Sequence, residues 1–194
     1  MDTSKYIVSM FEKNEINDAF MDLIYKRNGL ALGIGNGFQA FVKLGFIPFG
    51  ELKPQNQKSS NFIQNAIGRH VSSIVRTRVA TNKTPWLMDS NLNSITNIPI
   101  SCSNGRFVTT DEELEYILKE GLVATQYVDN LGDATMISPY NPTGSIYAIE
   151  GLISPNGHIL GKMGHNERYD ENLYKNIHGE FDMDIFKSGV RYFE

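Results

Sequence analysis

The chain has 194 residues with a formal net charge of −4, and 41% of the residues are hydrophobic. These values favour one globular domain over residues 1–194 and exclude a disordered chain. The negative charge argues against nucleic acid or an anionic membrane surface as a partner. The one cysteine, Cys102, cannot form an internal disulfide. Because no apolar stretch approaches the roughly 20 residues that span a bilayer and no signal peptide is evident, we expect a cytoplasmic protein.

The first third of the chain predicts a helix, a short strand and a second helix. The first helix is indicated by apolar residues at helical spacing, which are Ile16, Ala19, Phe20, Leu23 and Ile24. The apolar run at 30–34 is ambiguous by itself, but its brevity and flanking glycines favour a buried strand. The second helix begins near Asn36 and ends at Gly45. This succession of elements indicates an α/β fold.

The remainder of the chain predicts mainly strands. They are expected at 70–80, 95–100, 122–128 and 147–153, with a last short helix around 185–190. The polar stretch at 51–62 indicates a surface loop. Thr110 and Glu113 predict a capping box at the start of one more helix. A turn signal at 155–157 predicts a hairpin that pairs 159–163 with the preceding strand.

A tight, glycine-rich turn joins the predicted strand at 30–34 to the helix at Asn36. Enzymes of the α/β class place a nucleophile at such a turn, because the N–H groups of the helix N-terminus can stabilise an oxyanion. Gly35, Gly37 and Ala40 also fit a dinucleotide-binding pattern, although no acidic residue lies on a following strand about 20 residues later. In a third interpretation the glycines serve packing alone. The local pattern leaves all three open.

His165 and Glu167 lie two residues apart at the end of the predicted hairpin strand, so their side chains can share one side. A carboxylate beside an imidazole fixes its tautomer, as in the base of a nucleophilic triad. An exposed pair at a strand end is the simpler interpretation of an isolated His-x-Glu. His70, His158 and His178 show no ligand spacing and are interpreted as structural or surface residues. No metal site is predicted.

Taken together, the two motifs point to a known family. The sequence G-I-G-N-G-F-Q-A at 33–40 resembles the G-I-C-N-G-F-Q-A nucleophile elbow of class I glutamine amidotransferases, in particular the glutaminase domain of phosphoribosylformylglycinamidine synthase. Further similar stretches follow in the family's order, at 67–71, 105–108, 124–129, 141–145 and 161–168. The resemblance covers essentially the whole chain. It implies a flavodoxin-like α/β fold with a mostly parallel sheet and a C-terminal antiparallel hairpin.

The resemblance also implies chemistry. In that family the domain hydrolyses glutamine, and the ammonia passes to a synthetase module that uses ATP and Mg²⁺ in a step of purine synthesis. By position, the nucleophile belongs at Gly35, with His165 as base and Glu167 as its orienting carboxylate. The backbone N–H of Asn36 would stabilise the oxyanion, and Gln39 would help to bind glutamine. Glutamine and a synthetase module are the implied partners, with no cofactor for this domain.

Three departures from the family pattern bear on activity. Gly35 stands where the family has cysteine, so no thioester can form there, and we expect an inactive glutaminase domain. Residues 101–105 read Ser-Cys-Ser-Asn-Gly where the family has Ser-His-Gly-Glu-Gly. Cys102 is a poor substitute nucleophile, because the oxyanion donors belong to the elbow. The chain also starts late, so we expect the C-terminal portion of such a domain, with its first strands missing.

Two functional hypotheses follow, and a nucleotide-binding flavodoxin-like domain, based on the pattern at Gly35, Gly37 and Ala40, is kept as a third. One is a glutaminase domain inactivated at its nucleophile, and the other is a non-catalytic module that docks to a synthetase partner. In either, the absence of the first strands would leave one edge of the strand at 30–34 unpaired. Because an unpaired strand edge invites another chain to pair with it, we expect a homodimer through that edge, an aggregate or a marginally stable chain.

Overall fold

The computed structural model describes residues 3–53, 56 and 59–194. Its helices are α1 (Thr3–Phe11), α2 (Asn14–Tyr25), α3 (Asn36–Leu44), the single turn α4 (Phe46–Phe49), α5 (Asp111–Glu120) and α6 (Ile185–Arg191). Its strands are β1 (Ala31–Ile34), β2 (Asn61–Ile63), β3 (Val71–Val79), β4 (Ile95–Cys102), β5 (Arg106–Val108), β6 (Val123–Tyr127), β7 (Ile149–Ile153) and β8 (Ile159–Lys162). Within these residues, no helix has the length and apolar character needed to cross a membrane.

Six strands form the main sheet in the order β1-β8-β7-β6-β3-β4, and β2 and β5 form a separate antiparallel pair. The α/β class and the antiparallel β7–β8 hairpin are as predicted. The sheet is mixed, however, and not mostly parallel, because β1–β8 is the one parallel pairing among the described strands. A parallel pair requires a crossover connection. The β3–β4, β6–β7 and β7–β8 connections contain no α-helix, and they return each strand antiparallel to its predecessor.

The helices predicted from the sequence are present as α2, α3, α5 and α6, whereas α1 and the single turn α4 were not predicted. The capping box is half formed. Thr110 Oγ1 accepts the Glu113 N–H at 3.2 Å, but the Glu113 carboxylate accepts the Ser60 N–H at 2.8 Å instead of bonding back to Thr110. Glu113 therefore links α5 to the stretch predicted as a loop at 51–62. Residues 54, 55, 57 and 58 of that stretch lie outside the described residues, and its last two residues begin β2.

The helix α3 lies directly on the sheet because glycines face it. A Cβ on Gly161 of β8 would overlap the ring of Phe38, and a Cβ on Gly33 of β1 would lie 2.8 Å from the ring of Phe41. β1 is less buried than predicted: Gly33 is buried, but Leu32 and Ile34 are only half-buried. The reason is that β1 is an edge strand, which pairs within the described residues with β8 alone. This packing fixes where α3 begins, and therefore where the turn at Gly35 lies.

Candidate active site

The turn at Gly35 has a backbone conformation that glycine adopts readily, with φ 55° and ψ −108°. Two backbone hydrogen bonds hold the turn: Gly35 N–H donates to the Lys162 carbonyl at 2.8 Å, and Gln39 N–H donates to the Gly35 carbonyl at 3.1 Å. A non-glycine residue at such a φ is strained, and strain of this kind is typical of a nucleophile elbow. The N–H groups in the first turn of α3 lack acceptors within the helix, so they are available to an oxyanion.

The imidazole of His165 faces Gly35. A Cβ built on Gly35 would lie 3.4 Å from His165 Cε1 and 3.6 Å from Nε2, which is ordinary van der Waals contact. On its other side, His165 Nδ1 lies 2.5 Å from Glu167 Oε1. Because the carboxylate accepts the Nδ1 proton, Nε2 is the nitrogen left to take a proton from a group on residue 35. The backbone also fixes this histidine, since the His165 N–H donates to the Pro99 carbonyl at 2.9 Å.

The two predicted substrate-binding residues occupy the first turn of α3. Asn36 is exposed, and Gln39 is buried, with Nε2 donating to the Asn104 carbonyl at 3.0 Å. Both line a cavity of about 340 Å³ between the elbow and the stretch 101–104. Gly35, His165 and Arg168 line the same cavity. Four of the five sequence-predicted site residues therefore line one cavity, and the fifth, Glu167, contacts His165 beside it, while their roles toward a substrate remain predictions.

Cys102 also lines this cavity, but its surroundings make the thiol a poor nucleophile. The residue is 7% exposed, and its Sγ lies 3.9 Å from Asn65 Oδ1. Burial raises the pKa of the thiol to about 11, and the hydrogen bond to Asn65 opposes that rise only in part. Within the described residues no hydrogen bond joins Cys102 to His165. Asn65 further braces the loop, accepting the Gly105 N–H and donating to the Cys102 carbonyl, both at 2.8 Å.

His70 lines the cavity, which the sequence did not predict, although its exposed side chain agrees with the interpretation as a structural or surface residue. The structure places it in the cavity wall, with Nδ1 3.1 Å from Ser103 Oγ and Nε2 3.2 Å from Ser101 Oγ. It stands there because β3 pairs with β4 in a register that sets Val71 opposite Cys102. Only this register places His70 in the cavity, and the sequence does not show which strands are neighbours. Among the described residues, including those of this cavity, no cluster of three or more His, Cys, Asp or Glu side chains could hold a metal ion.

Comparisons with known proteins identify relatives of this chain. Residues 2–193 match the family model described as a CobB/CobQ-like glutamine amidotransferase domain. The chain is 30% identical over 161 residues to phosphoribosylformylglycinamidine synthase subunit PurQ of Methanocaldococcus jannaschii, which covers 83% of this chain and 63% of that protein. The subunit of the same name from Aquifex aeolicus is 30% identical over 142 residues, or 73% of this chain and 57% of that protein.

A solved structure has the same fold. The structure of PurLQS from Thermotoga maritima superposes with a TM-score of 0.63 at 27% identity, covering 87% of this chain and 64% of that one. The chain therefore spans less than two thirds of the length of these relatives. The family match extends over nearly the whole chain and includes the elbow and the His165–Glu167 pair. The chain belongs to the CobB/CobQ-like glutamine amidotransferase domain family and has a class I glutamine amidotransferase fold.

Proposed function

We propose that this chain is the glutaminase part of a phosphoribosylformylglycinamidine synthase and that Gly35 leaves it unable to hydrolyse glutamine. Its relatives from Methanocaldococcus jannaschii and Aquifex aeolicus are subunits of that enzyme, which supports the first statement. The observation that carries the second is the elbow itself. Its backbone and its facing imidazole are in place, but residue 35 has no side chain. Glutamine is the proposed ligand, and a synthetase module that binds ATP and Mg²⁺ is the proposed partner, in the cytoplasm.

The geometry indicates what each group would do if residue 35 carried a thiol. His165 Nε2 would take the thiol proton, because Nδ1 is already bonded to Glu167. The thiolate would attack the glutamine side-chain amide, and the N–H of Asn36 would stabilise the oxyanion that forms. His165 would return the proton to the departing ammonia, leaving a thioester for water to hydrolyse. With Gly35 the first step has no nucleophile.

A non-catalytic module that docks to the synthetase partner is the second candidate, and the same missing side chain favours it. The two are separated by restoring the thiol with Gly35→Cys. Gly35→Ala is the matched control, because it introduces the same backbone strain without a nucleophile. Glutamate formation from glutamine is measured for the native chain and both variants, alone and with the synthetase partner. Glutamine binding to the native chain is measured in parallel by calorimetry.

We expect the native chain and Gly35→Ala to be inactive, since loss of a triad nucleophile typically removes about 10⁶-fold in kcat. Gly35→Cys should hydrolyse glutamine, and the native chain should still bind it. An inactive Gly35→Cys variant, together with a native chain that binds the synthetase partner but not glutamine, would favour the docking module. Hydrolysis by the native chain at the rate of active relatives would contradict the assignment of Gly35 as an inactivating residue.

A further inference from the structure

A buried ion pair lies beneath the elbow, outside the cavity. Glu150 of β7 and Lys162 of β8 are both fully buried, with Lys162 Nζ 2.5 Å from Glu150 Oε2. Thr125 of β6 completes the cluster: its hydroxyl donates to Glu150 Oε2 and accepts from Lys162 Nζ at 3.0 Å. A buried ion pair is often no more stabilising than apolar residues of similar volume, because both charges lose their hydration. Stability alone therefore gives no reason for charges at these two positions.

The contacts of the pair lead directly into the site. Glu150 Oε1, the oxygen that does not contact Lys162, accepts the N–H of Gly164 at 2.6 Å, and Gly164 immediately precedes His165. The main-chain carbonyl of Lys162 accepts the N–H of Gly35 at 2.8 Å. One member of the pair thus touches the segment that carries the base, and the other touches the turn that carries the nucleophile position.

Gly164 shows that this contact depends on close approach. A Cβ on Gly164 would lie 2.9 Å from Glu150 Oε1 and would overlap the side chain of Ile98. The backbone before His165 can lie against the carboxylate only because residue 164 has no side chain. A carboxylate whose other oxygen is held by an ammonium and a hydroxyl has one orientation, so its hydrogen bond to Gly164 is fixed in direction.

We infer that Glu150 is a positioning residue, held by Lys162 and Thr125, which sets His165 opposite residue 35 through its bond to the Gly164 N–H. The inference rests on the proposed function, because it assigns a role in the same reaction. It predicts that the hydrogen-bond acceptor at position 150 matters for the alignment of His165, whereas the two charges serve to orient that acceptor. A merely structural role would require only that the buried volume be filled.

The test compares two double variants in the Gly35→Cys chain. Glu150→Gln with Lys162→Met removes both charges but keeps an oxygen that can accept from Gly164. Glu150→Leu with Lys162→Met removes both charges and the acceptor at similar volume. Glutaminase kcat and KM are measured with the synthetase partner present. Alkylation of the introduced thiol by iodoacetamide is followed against pH, and thermal melting identifies any variant that is not folded.

We expect the Glu150→Gln double variant to exceed the Glu150→Leu double variant in kcat by about 10- to 100-fold, the range that misplacement of a catalytic group by about 1 Å produces, with similar KM. We also expect alkylation to extend to lower pH in the Glu150→Gln chain, because an aligned imidazole stabilises the thiolate. The alkylation needs no glutamine, so it tests the alignment of His165 even where glutamine is not hydrolysed. Equal kcat values in two folded double variants that hydrolyse glutamine, or coincident alkylation profiles in two folded double variants whether or not they hydrolyse it, would overturn the inference.

Discussion

The thiol of Cys102 should be nearly inert in the folded chain, although it lines the same cavity as His165. Burial raises its pKa from 9.0 to about 11. At pH 8 the thiolate fraction is then about 0.1%, against about 10% for an unperturbed thiol of pKa 9.0, so alkylation should be about 100-fold slower in the folded chain than in the unfolded one. The 7% exposure of the residue adds a further barrier to the reagent.

The assay is alkylation by iodoacetamide between pH 6 and pH 11, in native buffer and in guanidinium chloride, with the modified peptide identified by mass. The expected direction of the pH dependence follows from burial, because burial favours the neutral thiol over the thiolate. The native rate should therefore keep rising with pH beyond 10, where the unfolded chain has already reached its plateau. Cys102→Ser provides the blank. A native rate that equals the unfolded rate at pH 8, or that is already constant near pH 7, would show an activated thiolate and would revive Cys102 as a substitute nucleophile.

Three further outcomes follow from the contacts of the elbow. Gly161→Ala should lower the free energy of unfolding in a urea titration by about 1–3 kcal/mol, because its methyl group would overlap an aromatic ring of α3. Gly37→Ala is the control and should not destabilise the chain, because a Cβ at that position meets no described residue outside its own helix within 4 Å. In the Gly35→Cys chain, Glu167→Gln should reduce glutaminase kcat by up to about 10⁴-fold, since it removes the carboxylate that fixes the His165 tautomer, and a loss below about tenfold would contradict the triad. One edge of β1 has no partner strand among the described residues, and the native chain should associate through it. Leu32→Lys should reduce that association in light scattering, and a monomeric native chain would contradict the edge argument.

The parts of the fold that were predicted correctly have local causes. The start of α3 at Asn36 follows from small residues at a turn and an apolar face of helical period, and its end follows from Gly45 in the left-handed conformation. The β7–β8 hairpin follows from a turn signal between two apolar runs. His165 and Glu167 are in contact as expected, but they meet at a 3₁₀ turn over Asn166–Arg168 that follows β8, and not along the end of an extended strand. Each of these features is determined by a sequence segment of about ten residues.

The features that escaped prediction depend on which strands are neighbours. His70 enters the cavity through the pairing of β3 with β4, and the mixed sheet follows from connections that return without a helix. Glu150 and Lys162 are single charged residues in otherwise apolar runs, which was a signal in itself. The two charges could be identified as partners only from the register of β7 and β8, in which Lys162 lies opposite Gly151, the residue next to Glu150. A charged residue in a buried strand is explained by its partner across the sheet, and local spacing does not name that partner.

The bonds that assemble the site do not involve a side chain on residue 35. The elbow is held by main-chain bonds of Gly35 to Lys162 and Gln39, and the imidazole is held by the bonds of His165 to Pro99 and Glu167. The absence of a thiol at residue 35 therefore removes the nucleophile but leaves the arrangement of the other site residues unchanged. Because glycine adopts a φ of 55° without the strain of about 1–3 kcal/mol that another residue would bear, the present turn is also the less strained one. Restoring a cysteine should consequently lower the stability of the chain while requiring no rearrangement of the groups that would act on it.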